Sequence, residues 1–181
     1  TGFETGSSVV SVADLGDYTF TVSIDGVVAR QMPASMGKSK FPTPIVQFTA
    51  LGKERNVTFD SRTIGIPLDD PEGYLIKGEY GVRVTWGGVY VHSAPWSVGS
   101  QGYANVSHGC INLSPDNAAW YFDTVSVGEN TLRNLHLRPF KDAVDAGALT
   151  LMAAFNDVDG TPMHAHEHLI RRVLKGEWGW D

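Results

Sequence analysis

The feature that most constrains the fold is a succession of short strand-like runs between Tyr18 and about Val91. The first two runs, in YTFTVSIDGVVARQM, lie on either side of Asp25-Gly26, and an Asp-Gly pair in this setting is a strong β-hairpin signal. The runs NVTFD, GYLI, YGVRVTW and GVYVH follow, with turn sequences between them. Short strands at this spacing predict a mainly β fold, an antiparallel sandwich or barrel.

Helical patterns follow these strands. Ser114 is a good N-cap and Pro115 suits the first helical position, so a helix is expected over DNAAWYFDT. After Gly128, ENTLRNLHLRPFKDAVDAG predicts a helix ending at Gly147, ALTLMAAF predicts a buried strand, and HAHEHLIRRVLKG predicts a second helix. This helix–strand–helix tail is an α/β fragment, typical of a parallel sheet whose other strands the chain does not obviously supply.

Composition excludes several classes of protein. The 181 residues are 42% hydrophobic and 19% charged, as in a globular domain. The net charge of −6 argues against non-specific binding to nucleic acid. No apolar run approaches the roughly 18 residues that a membrane span needs. The chain begins without Met or a signal-peptide pattern, so we expect it to start inside a longer protein.

Cys110 is the only cysteine, so its thiol forms no disulfide within the chain. It is a nucleophile, a metal ligand or an ordinary buried thiol. In an extended strand His108 faces the same side, with alpha carbons roughly 6.6 Å apart. His92 ends the preceding strand and can reach across to the sulfur, whereas His136 is remote. A metal is the less favoured alternative, because His92, His108 and Cys110 supply only three ligands.

No Asp or Glu occurs between Tyr80 and Pro115 to orient a histidine base. The orienting acceptor would then be a backbone carbonyl or a hydroxyl such as that of Ser93. Gly109 lets a substrate approach the backbone closely, and the amides of Gly109 and Cys110 are candidates for an oxyanion hole.

Residues 88–128, GVYVHSAPWSVGSQGYANVSHGCINLSPDNAAWYFDTVSVG, resemble the catalytic core of the actinobacterial L,D-transpeptidases. That family's signature is a His, a spacer, and then Ser/Thr-His-Gly-Cys-apolar-Asn. This chain has His92, followed by SHGCIN over residues 107–112. SMGKSKFPTP and FDSRTIGIPLDDPEGYLI extend the resemblance to roughly residues 18–128, which implies the L,D-transpeptidase catalytic fold.

The resemblance implies a two-step acyl transfer without a cofactor or a metal. Cys110 attacks the L,D-peptide bond after the third residue of a peptidoglycan tetrapeptide stem and expels D-alanine. A diaminopimelate-type amine of a second stem then takes the acyl group, giving a 3→3 cross-link. The resemblance also implies acylation by carbapenems and a location in the cell envelope, outside the cytoplasm, in the periplasm or cell wall.

By position, the resemblance assigns further catalytic roles. His92 matches the general base, and Ser93 matches the residue whose carbonyl orients the imidazole. His108 and Gly109 match pocket positions beside the nucleophile Cys110.

Three residues match substrate-binding positions. Tyr74 matches a flap tyrosine that faces the oxyanion, Trp96 the aromatic of the HSAPW loop, and Asn112 the signature Asn. As alternatives, the two aromatics only pack, and Asn112 is a turn or structural residue. The acidic residues before Tyr74 are interpreted as a solvated turn: Asp69, Asp70 and Glu72.

Residues 129–181 resemble a different family, the family-3 glycoside hydrolases, through MAAFNDVDGTP and LKGEWGWD. A complete barrel takes about 250 residues. Asp157 and Asp159 are interpreted as turn residues rather than a catalytic pair, so no glycosidase activity is expected. His164 and His168 have an i, i+4 spacing, for which a solvated helix start is favoured over a metal site.

The two resemblances meet at Gly128-Glu129. The predicted parts are a linker over 1–17, a catalytic domain over 18–128 without its closing strand, and a dependent glycoside-hydrolase-like fragment over 129–181. ALTLMAAF is hypothesised to pair with the sheet edge left open. The alternatives to an active transpeptidase are a catalytically dead chimera that at best binds peptidoglycan and, ranked last, a glycoside hydrolase fragment.

Overall fold

The computed structural model describes residues 8–126, 137–152, 157–158 and 161–180. The chain divides into two compact units after Ser126. The predicted joint at Gly128-Glu129 lies outside the described residues. Within them, no helix has the length and apolar character needed to cross a bilayer.

The first sheet of the first unit is an antiparallel meander. Its strands, in spatial order, are β1 Val9–Asp14, β2 Thr19–Ile24 and β3 Val27–Pro33. Asp25 and Gly26 have φ angles of 50° and 81°, which suit a tight hairpin turn, so the predicted β2–β3 hairpin is confirmed. The structure corrects the linker predicted over 1–17, because Val9–Asp14 pair with β2 along their whole length.

The second sheet carries the candidate site. Its strands, in spatial order, are β4 Gly52–Asp60, β5 Leu75–Arg83, β6 Tyr90–Ser93 and β7 Ile111–Leu113. The first three strands are antiparallel, whereas β6 and β7 are parallel, which the prediction of an antiparallel fold did not include. On the other side of β7, Ser35 and Asn112 exchange backbone hydrogen bonds of 3.1 and 2.8 Å. Strand β7 is therefore held from both sides.

The helix after the cysteine is confirmed as α1, Pro115–Thr124. The Ser114 hydroxyl accepts the Asn117 N–H at 3.4 Å, and Pro115 occupies the first turn. Tyr121 packs edge-to-face on Phe20 of β2, with ring centroids 4.9 Å apart.

One hydrophobic core joins both sheets and α1. Its larger buried side chains are Phe20, Val22, Met32, Met36, Val82, Val91, Ile111, Leu113, Tyr121 and Val125. Val91 of β6 and Leu113 of β7 are 2% and 0% exposed. The two strands that flank the candidate site are thus anchored in the centre of the core.

The second unit contains α2, Arg138–Asp145, and a helix of π geometry, His168–Glu177. The helix predicted over residues 129–147 is confirmed for Arg138–Asp145, and residues 129–136 lie outside the described residues. The helix predicted over residues 164–176 begins only at His168. Gly147, with a φ angle of 83°, follows the end of α2. Leu137 packs with Leu169 and Val173 in a small apolar cluster. A 3₁₀ turn covers Met163–Ala165.

The buried strand predicted over ALTLMAAF is wrong for residues 148–152, which form no strand. Leu149 and Met152 are 92% and 82% exposed. A buried parallel strand needs neighbouring strands, and the described part of this unit offers only the two-residue pair β8, Asp157–Val158, and β9, Thr161–Pro162. The hypothesis that this run closes the open sheet edge therefore fails for residues 148–152, and residues 153–155 lie outside the described residues.

Candidate active site

Cys110 lies directly before β7, beside the start of β6. The Tyr90 N–H donates to its sulfur at 3.4 Å, and the thiol lies 3.6 Å from the Gly88 carbonyl oxygen. Burial raises the pKa of the Cys110 thiol to about 11, an effect that the Tyr90 N–H partly offsets. The resting group at neutral pH is therefore a thiol.

His92 stands on the neighbouring strand, paired with Asn112 of β7. Its Nδ1 lies 2.7 Å from the Ser93 carbonyl oxygen. Because a carbonyl can only accept, Nδ1 carries the hydrogen and Nε2 keeps its lone pair. The ring is 3% exposed, and burial lowers its pKa to about 4 although the Ser93 carbonyl opposes this shift. His92 is thus a neutral imidazole with a free basic nitrogen.

Six of the residues predicted from the sequence line one cavity of about 270 Å³. They are Tyr74, His92, Trp96, His108, Cys110 and Asn112. The other two, Ser93 and Gly109, lie behind it, next to His92 and Cys110. The eight residues predicted for the catalytic and substrate-binding site thus either line this cavity or are next in sequence to a residue that does.

Aromatic rings form the walls of this cavity. Phe59, which the sequence did not indicate, lies 4.3 Å from His92 between ring centroids, and Trp96 lies 5.9 Å from it. Trp96 is 50% exposed and so presents half of its surface to solvent. The pKa of Tyr74 is raised, first by burial and then by the charges of Cys110 and Asp60, so its phenol keeps its proton.

Polar contacts fix the backbone just before the nucleophile. The Thr43 hydroxyl donates to the Gly109 carbonyl at 2.8 Å and accepts the Gly37 N–H at 2.9 Å. The Gly109 N–H donates to the Ser107 hydroxyl at 3.1 Å, and that hydroxyl donates to the Cys110 carbonyl at 2.6 Å. The prediction that the Gly109 amide contributes to an oxyanion hole is therefore wrong for this structure, because the N–H is already committed. Gly109 has a φ angle of 113°, which requires glycine.

Asn112 is 3% exposed and lies in β7, not in a turn. Its Nδ2 donates to the Ser97 hydroxyl at 3.2 Å, and that hydroxyl donates to the Ala94 carbonyl at 3.2 Å. The chain of donors fixes the orientation of the amide. Asn112 Oδ1 is left buried, without a hydrogen-bond partner among the described residues.

Glu72 is the clearest residue that sequence reasoning missed. Its carboxylate lies 2.5 Å from Lys38 Nζ, 2.9 Å from His108 Nε2 and 3.6 Å from Lys40 Nζ. The interpretation as part of a solvated turn is wrong for Glu72, because its charge is engaged by three side chains. The hydrogen bond from Lys38 is the main reason why its pKa is lowered.

The neighbours of Glu72 are exposed, as a solvated turn predicts. Asp69 and Asp70 both face solvent, and Asp70 Oδ1 accepts the Glu72 N–H at 2.8 Å. Across the described ranges, no group of three His, Cys, Asp or Glu side chains is arranged to hold a metal ion. His108, one member of the alternative metal set, contacts Glu72 instead.

Comparison with known proteins gives two family matches. Residues 8–133 match the model of the L,D-transpeptidase catalytic domain, and residues 118–181 match that of the glycosyl hydrolase family 3 N-terminal domain. Beta-glucosidase B of Emericella nidulans is 42% identical over 55 residues, 30% of this chain and 6% of that protein.

The first unit has much closer relatives. L,D-transpeptidase 1 of Mycobacterium tuberculosis is 68% identical over 128 residues, which are 71% of this chain and 51% of that protein. The solved structure of the L,D-transpeptidase LdtMt1 in complex with imipenem has a TM-score of 0.67 and 67% identity, covering 67% of this chain and 56% of that chain. The chain thus spans about half the length of the curated transpeptidase that it matches.

Proposed function

The chain belongs to the L,D-transpeptidase catalytic-domain family, whose model matches more than half of it, and we propose that it is a cysteine-dependent peptidoglycan L,D-transpeptidase. The observation that carries the proposal is that the Cys110 thiol and the neutral His92 imidazole line the same cavity. A base with a free lone pair beside a protonated nucleophile is the arrangement that acyl transfer requires.

The first step acylates the enzyme. Cys110 Sγ attacks the carbonyl carbon of the L,D bond in a tetrapeptide stem, while His92 Nε2 takes the thiol proton. The C–N bond then breaks, His92 returns the proton to the leaving amine, and D-alanine departs. Because both groups rest in neutral form, the proton moves as the C–S bond forms rather than before it.

The transition state places negative charge on the former carbonyl oxygen. We assign the donor for that charge to the Tyr74 hydroxyl, because this phenol stays protonated and lies on the same cavity as Cys110. His108 and Gly109 hold the loop on which Cys110 sits.

Two further side chains bind the donor stem. The buried Asn112 Oδ1 is an acceptor on the cavity wall, suited to a backbone N–H of the peptide. Trp96, half exposed, provides an apolar surface against which a stem side chain packs.

In the second step an amine replaces D-alanine. The side-chain amine of a diaminopimelate-type residue on a second stem attacks the thioester, loses a proton to His92, and releases the Cys110 thiol. The product is a 3→3 cross-link. A carbapenem acylates the Cys110 sulfur as its β-lactam C–N bond opens, and the ring nitrogen takes the proton from His92 but stays attached to the acyl group, so nothing departs in this step. The solved structure of a relative in complex with imipenem supports binding of this class of compound.

We place this activity in the cell envelope, in the periplasm or cell wall, where peptidoglycan lies. The catalytic domain ends before the glycoside-hydrolase-like fragment, which we propose is neither an independent domain nor a glycosidase. Within the described residues, that unit offers a two-residue strand pair and two helices rather than a barrel.

The test is acylation by imipenem followed by intact-mass measurement. We expect one adduct per chain, absent in Cys110→Ala. A tetrapeptide stem should release D-alanine, and a stem with a free diaminopimelate amine should yield the cross-linked dimer. Folded protein without an adduct would favour the catalytically dead chimera, and release of nitrophenol from a nitrophenyl β-glucoside would favour the glycosidase.

A further inference from the structure

The Glu72 carboxylate joins two segments of the chain that are distant in sequence. It reaches His108 on the loop before Cys110 and, through the same oxygen, Lys38 on the segment after β3. The side chain of Glu72 is 23% exposed, so these contacts are partly shielded from water. Neither contact is needed for the acyl-transfer steps described above, which leaves the role of Glu72 open.

The His108 ring is held from several directions. Its centroid lies 4.6 Å from that of Phe41 and 4.9 Å from that of Tyr74. The Glu72 carboxylate accepts at Nε2, at 2.9 Å. An imidazole that is packed by two rings and bonded at its edge has one orientation, and the loss of the edge contact would free it to rotate.

Glu72 also fixes the segment that carries Tyr74. The Tyr74 N–H donates to the Ser61 hydroxyl at 3.0 Å, and that hydroxyl donates to the Ile66 carbonyl at 2.9 Å. These two hydrogen bonds hold together the two ends of the segment from Ser61 to Tyr74. The Glu72 contacts to Lys38 and His108, together with the packing of Tyr74 on His108, connect this segment to the segment after β3 and to the loop before Cys110.

The charge of Glu72 has no substitute in this cluster. Lys38 and Lys40 both lie over the Phe41 ring, 5.6 and 5.3 Å from its centroid, and both contact the same carboxylate. Removing that charge would leave two ammonium groups beside His108 without the carboxylate that they share with it.

We propose that Glu72 is a positioning residue for the acylation step, acting through its contact with His108 to hold the Cys110 loop and, across that same contact, the segment that carries Tyr74. This inference rests on the proposed transpeptidase function. His108 is separated from Cys110 only by Gly109, so the Glu72 contact holds the loop two residues before the sulfur. A misplacement of about 1 Å can slow a reaction on the order of 100-fold.

The test measures imipenem acylation of the full chain at increasing drug concentration, which separates initial binding from the acylation rate constant. In Glu72→Gln, which keeps the size and removes the charge, we expect the rate constant to fall about 10- to 100-fold. Initial binding should change by less than about threefold. Asp69→Asn, the same charge change on the same turn, should match the wild type, and Glu72→Asp should recover part of the rate.

A double variant separates positioning from general structure. If Glu72 acts through His108, Glu72→Gln combined with His108→Gln should be no slower than His108→Gln alone. Wild-type acylation by Glu72→Gln, or multiplied effects in the double variant, would overturn the inference and leave the transpeptidase proposal standing. A wild-type chain that forms no adduct overturns both. Should Glu72→Gln unfold, a wild-type acylation rate constant in His108→Gln would also overturn it, because the proposed effect of Glu72 passes through His108.

Discussion

Replacement of His92 by glutamine should change the pH dependence of acylation as well as its rate. In the wild type, the pKa of His92 is about 4 and that of Cys110 is about 11. Between these values neither group titrates, so the thiol and the basic imidazole coexist and the rate should be flat. The rate should fall only as the pH drops toward 4, where the imidazole gains a proton and ceases to be a base.

The magnitude follows from the pKa of the thiol. Without His92, Cys110 must release its proton to solvent before it attacks. For a thiol with a pKa of about 11, the thiolate at pH 7 is about one part in 10⁴, a cost of about 5 kcal/mol. A positioned general base contributes roughly 10²- to 10⁴-fold. We therefore expect His92→Gln to be slower by that factor at pH 7, and to regain about tenfold for each unit of increasing pH.

The assay follows loss of the carbapenem chromophore in excess drug over roughly pH 5 to 9, corrected for hydrolysis without enzyme. His164→Gln is the matched control, since this exposed histidine lies in the second unit and should show the flat wild-type profile. A flat profile in His92→Gln would show that His92 is not the base. An inflection in the wild type between about pH 6 and 8 would refute the neutral resting pair.

Three further predictions follow from the first unit. Burial lowers the pKa of His92 from 6.5 to about 4, so as the pH falls the imidazole is protonated in the unfolded chain before it is protonated in the folded chain. The free energy of unfolding should therefore fall by about 3 kcal/mol from pH 7 to pH 4. Urea titrations of His92→Gln should lack this decrease. Gly37→Ala would place a Cβ 2.3 Å from the Phe41 oxygen and 2.5 Å from the Thr43 nitrogen; it should slow acylation at least about tenfold, because the backbone behind the nucleophile must shift. Ser114→Ala should cost about 1 kcal/mol in urea unfolding through the lost cap and leave acylation unchanged.

Local signals predicted the parts of the fold that depend on local chemistry. The hairpin at Asp25-Gly26 and the start of α1 at Ser114-Pro115 each follow from the conformations of two or three residues. The parallel pairing of β6 and β7 has no such signal, because β7 is only three residues long and all three are buried. A wholly buried strand of that length shows no alternation of apolar and polar residues, and tertiary packing in the core determines which strand it pairs with.

The residues of the candidate site also fall into those that the sequence predicted and those that only the fold brings together. His92 and Cys110 were accessible from sequence as members of one site, because the family signature names both. Glu72 and Thr43 were not, since they meet His108 and Gly109 across 36 and 66 residues. The sequence around Cys110 contains no acid over residues 80–115, and only the fold brings the Glu72 carboxylate to His108.

Packing also decides where the transpeptidase part of the chain ends. The two family matches overlap over residues 118–133, which begin inside α1. Ala118 and Tyr121 are 1% and 5% exposed in the core that anchors β6 and β7, and the Lys53 ammonium donates to the Val125 carbonyl at 3.0 Å. Residues up to Val125 are therefore part of the hydrophobic core of the first unit, although residues 118–125 match both family models. The described contacts that build the site lie between Ser35 and Leu113, within the first unit.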